Sequence, residues 1–385
     1  MLLILSFTLL IICEYIKIEV NGARWTPEKA NAWYAEQPWY FGANFVPSSS
    51  VNVIDMWRTF DTVTIERELG WASSINMNVM RVFLHVLFYQ QDAAGYLEKI
   101  DDFLTIADRF KIKVIFVLFD ECWRPDPKLG PQPEPIPGRH NSQWVRCPGQ
   151  ALLLDQSKWS LLKRYTRDIL SHFSTDSRVV IWDLYNEPQG SHQVPIVLPL
   201  LHEIYSAAIA ADPNQPLTFG IAGPLNEPLA QFELETSDII SFHNYSPLDN
   251  LMEQVTTLRQ FNRPLICTEY MARTIGSTFH THTVYFYKEN IGAVNWGLVA
   301  GKTQTYFPWG SPVNASIPLV WFHDIFNASG KPYSIYEVQF FKDLQQTTLQ
   351  YFLAKNLMKL IMLLCFAFSM IFAYLTRKSF TNSMK

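Results

Sequence analysis

The sequence predicts an α/β protein of the (β/α)8 barrel, or TIM barrel, class, with an N-terminal signal segment and a single C-terminal transmembrane helix. The chain has 385 residues, of which 48% are hydrophobic, so it can bury one large core. Eight short apolar runs alternate with helical stretches, and the runs are nearly continuous in hydrophobicity, as expected of parallel strands covered on both faces. A doubly wound sheet is the alternative, but Gly42-Ala43-Asn44-Phe45 lacks the glycine spacing of a phosphate-binding turn.

The repeating elements can be placed in order along the chain. An amphipathic helix opens the domain at about residues 27–36. The predicted strands follow at residues 39–46, 78–84, 113–119, 179–185, 216–222, 238–245, 264–270 and 292–299. Helices are predicted between them at residues 62–75, 96–110, 157–173, 196–211, 248–261 and 283–290. The third strand is separated from its helix by a proline-rich loop of roughly 35 residues. A loop of that length is usually functional or disordered, and Trp123 and Trp144 near its two ends favour function.

Both ends of the chain carry apolar runs. The uncharged residues 2–12 and the small residues at 21–23 predict a signal peptide over residues 1–23, with an uncleaved anchor as the alternative. Residues 357–376 are long and apolar enough for a transmembrane helix, and the cations that follow place the tail, residues 377–385, in the cytoplasm. A lipid anchor or a helix packed on the domain are the alternatives. The domain at residues 24–350 would then be extracellular or lumenal.

Composition excludes several classes of function. The net charge is −4 and no basic block interrupts the domain, so no nucleic-acid partner is expected. The nine histidines and five cysteines form no HExxH or CxxC pattern, so neither a metal site nor a cofactor is predicted. The chain has 12 tryptophans, more than a plain core needs, and some are expected to form platforms for flat ligands such as sugar rings. Sequons at Asn314 and Asn327 suit the surface of a secreted glycoprotein. The protein is expected to be a monomer.

In a barrel of this kind, the active site is built from the C-terminal ends of the strands. Glu187 follows strand four and Glu269 ends strand seven, so the two carboxylates would face one another across the barrel mouth, as glycosidase pairs do. A second Asn-Glu-Pro sequence, at residues 226–228, opens a helix, where a glutamate is an ordinary first-turn residue. Further polar or aromatic residues end the other strands, namely Asn44, Arg81, His85, Asp120, Glu121, Asn186, His243, Tyr245 and Trp296.

These residues carry a resemblance to a known family. Arg81 on strand two, Asn186-Glu187-Pro188 on strand four, His243-x-Tyr245 on strand six, Glu269 on strand seven and Trp296 on strand eight resemble glycoside hydrolase family 5, in the clan of retaining barrels. The resemblance spans about residues 24–341. The stretches WTPEKANAWYAEQPW, RVFLH and HNSQWV resemble a branch of bacterial-type sequences often labelled cellulase or xylanase.

The resemblance implies a role for each matching position. Glu187 would be the acid/base and Glu269 the nucleophile of a retaining double displacement. The surrounding residues would act on these carboxylates or on the sugar: Arg81 and Tyr245 on Glu269, His243 on the acid/base region, Asn186 on the 2-hydroxyl, and Trp296 as the floor under the sugar. One departure stands out, because many members carry a histidine at the end of strand three, where this chain has Asp120-Glu121-Cys122-Trp123.

The function predicted from these observations is a retaining glycoside hydrolase whose partner is a β-linked polysaccharide or oligosaccharide. Asp120, Trp123 and Trp144 are predicted to contact the substrate from the third loop, and a disulfide between Cys122 and Cys147 is predicted to hold that loop. The alternatives are a non-catalytic, membrane-tethered carbohydrate-binding protein on the same barrel and an exo-acting glycosidase or transglycosylase. Two opposed carboxylates favour catalysis, since a binding module has no need of them.

Overall fold

Eight parallel strands close into a barrel in the computed structural model, which describes residues 24–191 and 193–344. Each strand pairs with the next in sequence, and β8 pairs back with β1. The strands are β1 (Phe41–Asn44), β2 (Val79–Phe83), β3 (Lys113–Val117), β4 (Val179–Asn186), β5 (Leu217–Ile221), β6 (Ile240–His243), β7 (Leu265–Glu269) and β8 (Gly292–Asn295). The eight predicted strands and the closed barrel are therefore confirmed. Outside the barrel, β9 (Val299–Ala300) pairs with β10 (Phe326–Asn327).

Helices alternate with the barrel strands in the described part of the chain. They are α1 (Pro27–Ala35), α2 (Val53–Thr59), α3 (Thr62–Ser74), α4 (Val86–Gln91), α5 (Ala93–Arg109), α6 (Gln150–Leu154), α7 (Trp159–His172), α8 (Val194–Ala211), α9 (Pro228–Thr236), α10 (Leu248–Leu258) and α11 (Val284–Lys288). Short 3-10 turns occupy Gln156–Lys158, Pro188–Ser191, Arg259–Phe261 and Arg273–Ile275, and a π-helical turn occupies Phe279–Thr283. The predicted helices are present, with ends displaced by a few residues.

Short polar side chains define where several helices begin. Asn52, Asp61 and Asp92 each accept a hydrogen bond from a backbone N–H of the first turn of α2, α3 and α5. Such caps satisfy donors that the helix itself leaves unpaired. The short helices α2, α4 and α6 were not predicted, because five to seven residues are too few to show a helical period.

The opening helix α1 closes the N-terminal end of the barrel. Its Ala30 and Tyr34 belong to a buried cluster with Ile115, Ile181 and Ile266 of the strands. The Tyr34 hydroxyl donates to the carbonyl of Leu265 at 3.3 Å, at the start of β7. The apolar core thus fills the N-terminal half of the barrel, and the polar strand-end residues lie at the other end.

The long third loop is ordered and packs on the segment that follows β8. Asp120 pairs with Cys147 as an antiparallel bridge, with N–H to carbonyl distances of 2.7 and 2.8 Å. The backbone N–H of Asn141 donates to the carbonyl of Thr303 at 2.8 Å, and that of Gly138 to Gln304 Oε1 at 2.9 Å. The loop therefore forms a fixed part of the C-terminal face of the barrel.

The predicted disulfide between Cys122 and Cys147 is wrong, because both thiols are free. Cys147 Sγ is buried and lies 3.4 Å from the carbonyl of Leu118, and it accepts the N–H of Val86 at 3.4 Å. Cys122 Sγ lies instead against the carboxylate of Glu187. The two sulfurs occupy separate environments, so the antiparallel bridge, rather than a covalent bond, joins the two ends of the loop.

The predicted signal peptide and transmembrane helix lie outside the described residues. Among the helices that are described, α8 has the length and apolar composition of a membrane span. Its residues Leu200, Ile204 and Ala208 are nonetheless buried within the protein.

Residues 335–344 are helical and fall outside the compact unit that ends at Ser334. The domain range of residues 24–350 stays a prediction.

Candidate active site

The ends of β4, β6 and β7 bring Glu187, His243 and Glu269 together. Glu187 directly follows β4 and has a φ of 45°, in the left-handed region that non-glycine residues rarely adopt. Its N–H donates to the carbonyl of Gly220 on β5 at 3.0 Å, which helps to hold this conformation. The β-ladder register also shifts just before His243, opposite Glu269. Strained backbone and register shifts of this kind are common at functional sites.

Glu269 is a buried carboxylate with a donor on each oxygen. Its Oε1 accepts from Arg81 Nη1 at 2.8 Å, and its Oε2 accepts from the Tyr245 hydroxyl at 2.7 Å. Burial raises the pKa of Glu269, and the neighbouring His243, Arg81 and Tyr245 act against that rise. Both donors favour the ionised form and fix the carboxylate in one orientation.

Arg81 uses all five of its N–H donors inside the barrel. Nε and Nη2 donate to Asp183 Oδ2 at 3.0 and 2.8 Å, and Nη2 also donates to Asn186 Oδ1 at 2.6 Å. Nη1 donates to Asn44 Oδ1 at 2.9 Å as well as to Glu269. The guanidinium is fully buried and bridges two carboxylates. Asp183 was not predicted as a site residue, although an acid inside the apolar run at 179–185 was a usable signal.

Glu187 is the more accessible of the two carboxylates. Its side chain is 25% exposed, against 7% for Glu269. Oε1 lies 2.6 Å from His243 Nδ1, and Oε2 lies 3.2 Å from Cys122 Sγ. Burial raises the pKa of Glu187, and burial also lowers the pKa of His243 to about 4, so the imidazole is neutral near pH 7. His243 Nε2 lies 3.7 Å from Glu269 Oε1, too far for a hydrogen bond.

The separation of the two carboxylates bears directly on their chemistry. Glu187, His243 and Glu269 each offer one nitrogen or oxygen atom, and these atoms lie within 4.8 Å of one another. One oxygen of each carboxylate therefore lies within 4.8 Å of the other, a close approach that is compatible with the ~5 to 5.5 Å separation of retaining glycosidases and favours it over the ~6.5 to 9.5 Å of inverting ones. The same spacing would suit a metal ion, but the Arg81 guanidinium against Glu269 already supplies a positive charge and opposes a second cation.

Asp120 is a buried carboxylate that hydrogen-bonds to other residues of the site. It is 3% exposed, and its Oδ1 accepts from Asn186 Nδ2 at 2.8 Å, while its Oδ2 accepts from Trp144 Nε1 at 2.6 Å. Burial raises its pKa to about 6. The predicted contact between Asp120 and substrate stays a prediction, and the structure adds that Asp120 orients Asn186.

The tryptophans of the site differ in exposure. Trp144 is 1% exposed, and its ring packs edge-on against Trp296, 5.6 Å away. Its predicted contact with substrate stays a prediction. Trp296 is half-buried at the end of β8. Trp123 and Trp309 are 45% and 44% exposed, and Trp309 lies edge-on to Tyr245 at 4.9 Å. Both rings are thus partly open to solvent, and the predicted contact between Trp123 and substrate stays a prediction.

His85 does not replace the histidine that is missing after strand three. It is fully buried, its Nδ1 accepts the N–H of Leu87 at 3.2 Å, and its Nε2 lies 3.0 Å from the carbonyl of Arg146. Burial lowers its pKa to about 4. His85 therefore begins α4 and anchors the third loop without reaching either glutamate.

Comparison with known proteins agrees with this geometry. A family model described as cellulase (glycosyl hydrolase family 5) matches residues 60–304, which is more than half of the chain. No curated protein sequence gives a significant match.

Solved structures similar to this one share the fold. GH5_18 from Bifidobacterium longum, a variant in complex with Manβ1-4GlcNAc, has a TM-score of 0.56 and 13% identity, covering 80% of this chain and 78% of its own. An exo-β-1,4-mannosidase from Opitutaceae bacterium strain TAV5 has a TM-score of 0.52 and 16% identity, with coverages of 81% and 60%. An endo-1,4-β-mannanase from Rhizomucor miehei has a TM-score of 0.51 and 14% identity, with coverages of 80% and 96%.

Proposed function

The chain belongs to glycosyl hydrolase family 5, and we propose that it is a retaining β-glycoside hydrolase with Glu269 as nucleophile and Glu187 as acid/base. The observation that carries the proposal is that two carboxylates lying close together differ in their hydrogen-bond partners and in their exposure. Glu269 takes donors from Arg81 and Tyr245 on its two oxygens, which suits a group that must be ionised. Glu187 is more exposed and contacts a neutral imidazole and a thiol, which suits a group that must carry a proton.

The proposed reaction has two displacements. In the first, a Glu269 oxygen attacks the anomeric carbon, the glycosidic bond breaks, and Glu187 gives its proton to the departing oxygen. In the second, Glu187 takes a proton from a water molecule, and the water oxygen attacks the same carbon and releases Glu269. Each step inverts the anomeric centre, so the product keeps the configuration of the substrate.

Three further residues are proposed to contact the glycan. Asn186 Nδ2 donates one hydrogen to Asp120, and its other hydrogen faces only the weak acceptor Cys122 Sγ at 3.5 Å, so it can serve the 2-hydroxyl. Trp296 is proposed as the floor of this subsite. Trp123 is proposed as an outer platform, because nearly half of its surface is exposed.

Substrate class is the part of the proposal that an assay should settle first. The purified full-length protein would be incubated with β-mannans, xylan, cellulose, their oligosaccharides and β-linked glycolipids, with product analysis by chromatography. β-1,4-Mannosides come first in this panel, because the similar structures include a mannanase and a mannosidase by name. Release of single sugars from chain ends would indicate exo action, and release of internal fragments would indicate endo action. Binding without turnover across the panel would instead favour the non-catalytic carbohydrate-binding alternative.

The pH dependence of kcat/KM should be bell-shaped. The reaction requires ionised Glu269 and protonated Glu187, so activity falls at low pH as the pair gains a proton and at high pH as the pair loses one. Burial raises the pKa of both groups, so both limbs should lie above the ordinary glutamate range, and the two apparent values belong to the coupled pair. With an activated aryl glycoside, Glu187→Gln should abolish the high-pH limb. A high-pH limb that survives in this variant would assign it to another group.

We also propose that the barrel is extracellular or lumenal and is tethered by the apolar segment at residues 357–376. This rests on the sequence alone: an apolar run near each end, with cations after the second. Deleting residues 357–385 should release active enzyme into the medium of expressing cells, whereas the full chain should sediment with membranes. A barrel that proteases reach only from the cytosolic side of sealed vesicles would contradict this topology.

A further inference from the structure

The thiol of Cys122 touches the proposed acid/base. Cys122 Sγ lies 3.2 Å from Glu187 Oε2, and it also accepts Asn186 Nδ2 at 3.5 Å. The cysteine is itself held in place, because its backbone N–H donates to Asp120 Oδ1 at 3.1 Å. Asp120 is buried and joined to Asn186 by the same oxygen. One buried carboxylate therefore sets the position of the sulfur relative to the end of β4.

The second oxygen of Glu187 has a partner on the opposite side of the site. His243 Nδ1 lies 2.6 Å from Oε1, while the cysteine lies at Oε2. A carboxyl group with one partner on each oxygen loses the freedom to rotate about its last side-chain bond. The two contacts come from different strands, since Cys122 follows β3 and His243 ends β6.

We propose that Cys122 is a positioning residue for the acid/base. Its S–H donates to Glu187 Oε2 and, with His243 on Oε1, holds the carboxyl group in the orientation that delivers its proton to the glycosidic oxygen. The inference rests on the proposed function and deepens it. The role applies only to the step in which Glu187 acts as the acid, and the sulfur is not proposed to contact the anomeric carbon.

The chemical state of the thiol fits this role. Burial, together with the nearby carboxylates of Asp120, Glu187 and Glu269, holds the pKa of Cys122 well above its usual range. The sulfur therefore keeps its proton and acts as a neutral donor, not as a nucleophile. A thiol is a weaker donor than a hydroxyl, so it orients the carboxyl group without strongly favouring the ionised form. Glu187 must be protonated before it can act as the acid, so a partner that orients it without strongly favouring its ionised form suits this role.

Loss of the thiol should also move the high-pH limb of activity. An S–H donor favours the ionised form of Glu187, so its removal raises the pKa of Glu187 and shifts the limb upward by roughly half a pH unit. The other charged or titratable groups around Glu187 remain in a Cys122 variant: Arg81, Asp120, Asp183, Glu233, His243, Tyr245 and Glu269. A shift can therefore be assigned to the thiol.

The test compares Cys122→Ala and Cys122→Ser with the full-length parent on aryl β-glycosides of the sugar that the substrate panel identifies. For Cys122→Ala, kcat should fall roughly tenfold with phenyl glycosides, which need a proton to leave, and little with 2,4-dinitrophenyl glycosides, which do not. Cys122→Ser keeps a donor on the same Cβ and should recover at least part of the loss. Cys147→Ala is the matched control: it removes a buried thiol that contacts neither glutamate. It should leave the leaving-group dependence unchanged, whatever it does to the thermal midpoint.

Three results would overturn the inference: an equal loss with both leaving groups, a serine variant as impaired as the alanine variant, or an unmoved high-pH limb in Cys122→Ala. These results are distinguishable from failure of the proposed function. If the parent protein hydrolyses no glycoside of the panel, the enzyme assignment itself fails. If the parent is active and the variants match it, only the role of Cys122 fails.

Discussion

Replacing Glu269 by alanine should lower kcat/KM by about four orders of magnitude or more, because the proposed covalent intermediate cannot form without the carboxylate. Sodium azide should restore part of the rate. The substitution leaves a space beside Arg81 and Tyr245 that a small anion can enter, and these residues would still offer it their donors. Azide would attack the anomeric carbon once, so the rescued product should be a glycosyl azide of inverted configuration.

The matched control for this experiment is Glu227→Ala. Glu227 stands in the second Asn-Glu-Pro sequence, is exposed, and precedes α9 without a side-chain capping bond. Its replacement should leave kcat/KM within about twofold of the parent value, since surface substitutions of this kind have small effects. Undiminished hydrolysis by Glu269→Ala, or rescue that yields an azide of retained configuration, would be incompatible with Glu269 as nucleophile.

Glu187→Ala should have the second largest effect, and its size should depend on the leaving group. With poor leaving groups the loss should approach about three orders of magnitude, the middle of the usual range for general acid catalysis, and with 2,4-dinitrophenoxide the first step should be nearly unaffected. The second step then becomes limiting, because no base activates water. Azide needs no base, so it should accelerate turnover and give a glycosyl azide of retained configuration. A loss that is uniform across leaving groups would show that Glu187 is not the acid.

Much of the fold could be predicted because the signal is local. Eight apolar runs without alternation indicate parallel strands, and residues that end such runs must lie together on one face of a closed barrel. This placed Glu187, His243 and Glu269 correctly at one end. The same reasoning separated Glu187 from Glu227, because only the first ends a strand.

The parts that escaped prediction depend on contacts between distant segments. Arg81 pairs with Asp183 as well as Glu269, and which carboxylates a buried guanidinium meets is set by the register of β2 against β3 and β4. The burial of Trp144 follows from its hydrogen bond to Asp120 and its packing on Trp296. Cys122 and Cys147 bracket the third loop in sequence, but that spacing does not tell whether their sulfurs face one another.

The stereochemistry of hydrolysis tests the double displacement most directly. Proton NMR of the anomeric region, recorded within minutes of adding the full-length protein to a β-glycoside that it cleaves, distinguishes the first product before it mutarotates. One oxygen of Glu187 and one of Glu269 lie within 4.8 Å of each other. If the two groups act as proposed, the first sugar to appear should be the β-anomer, and the α-anomer should grow in only later. Initial formation of the α-anomer would contradict the mechanism, since a single displacement by water would then be required.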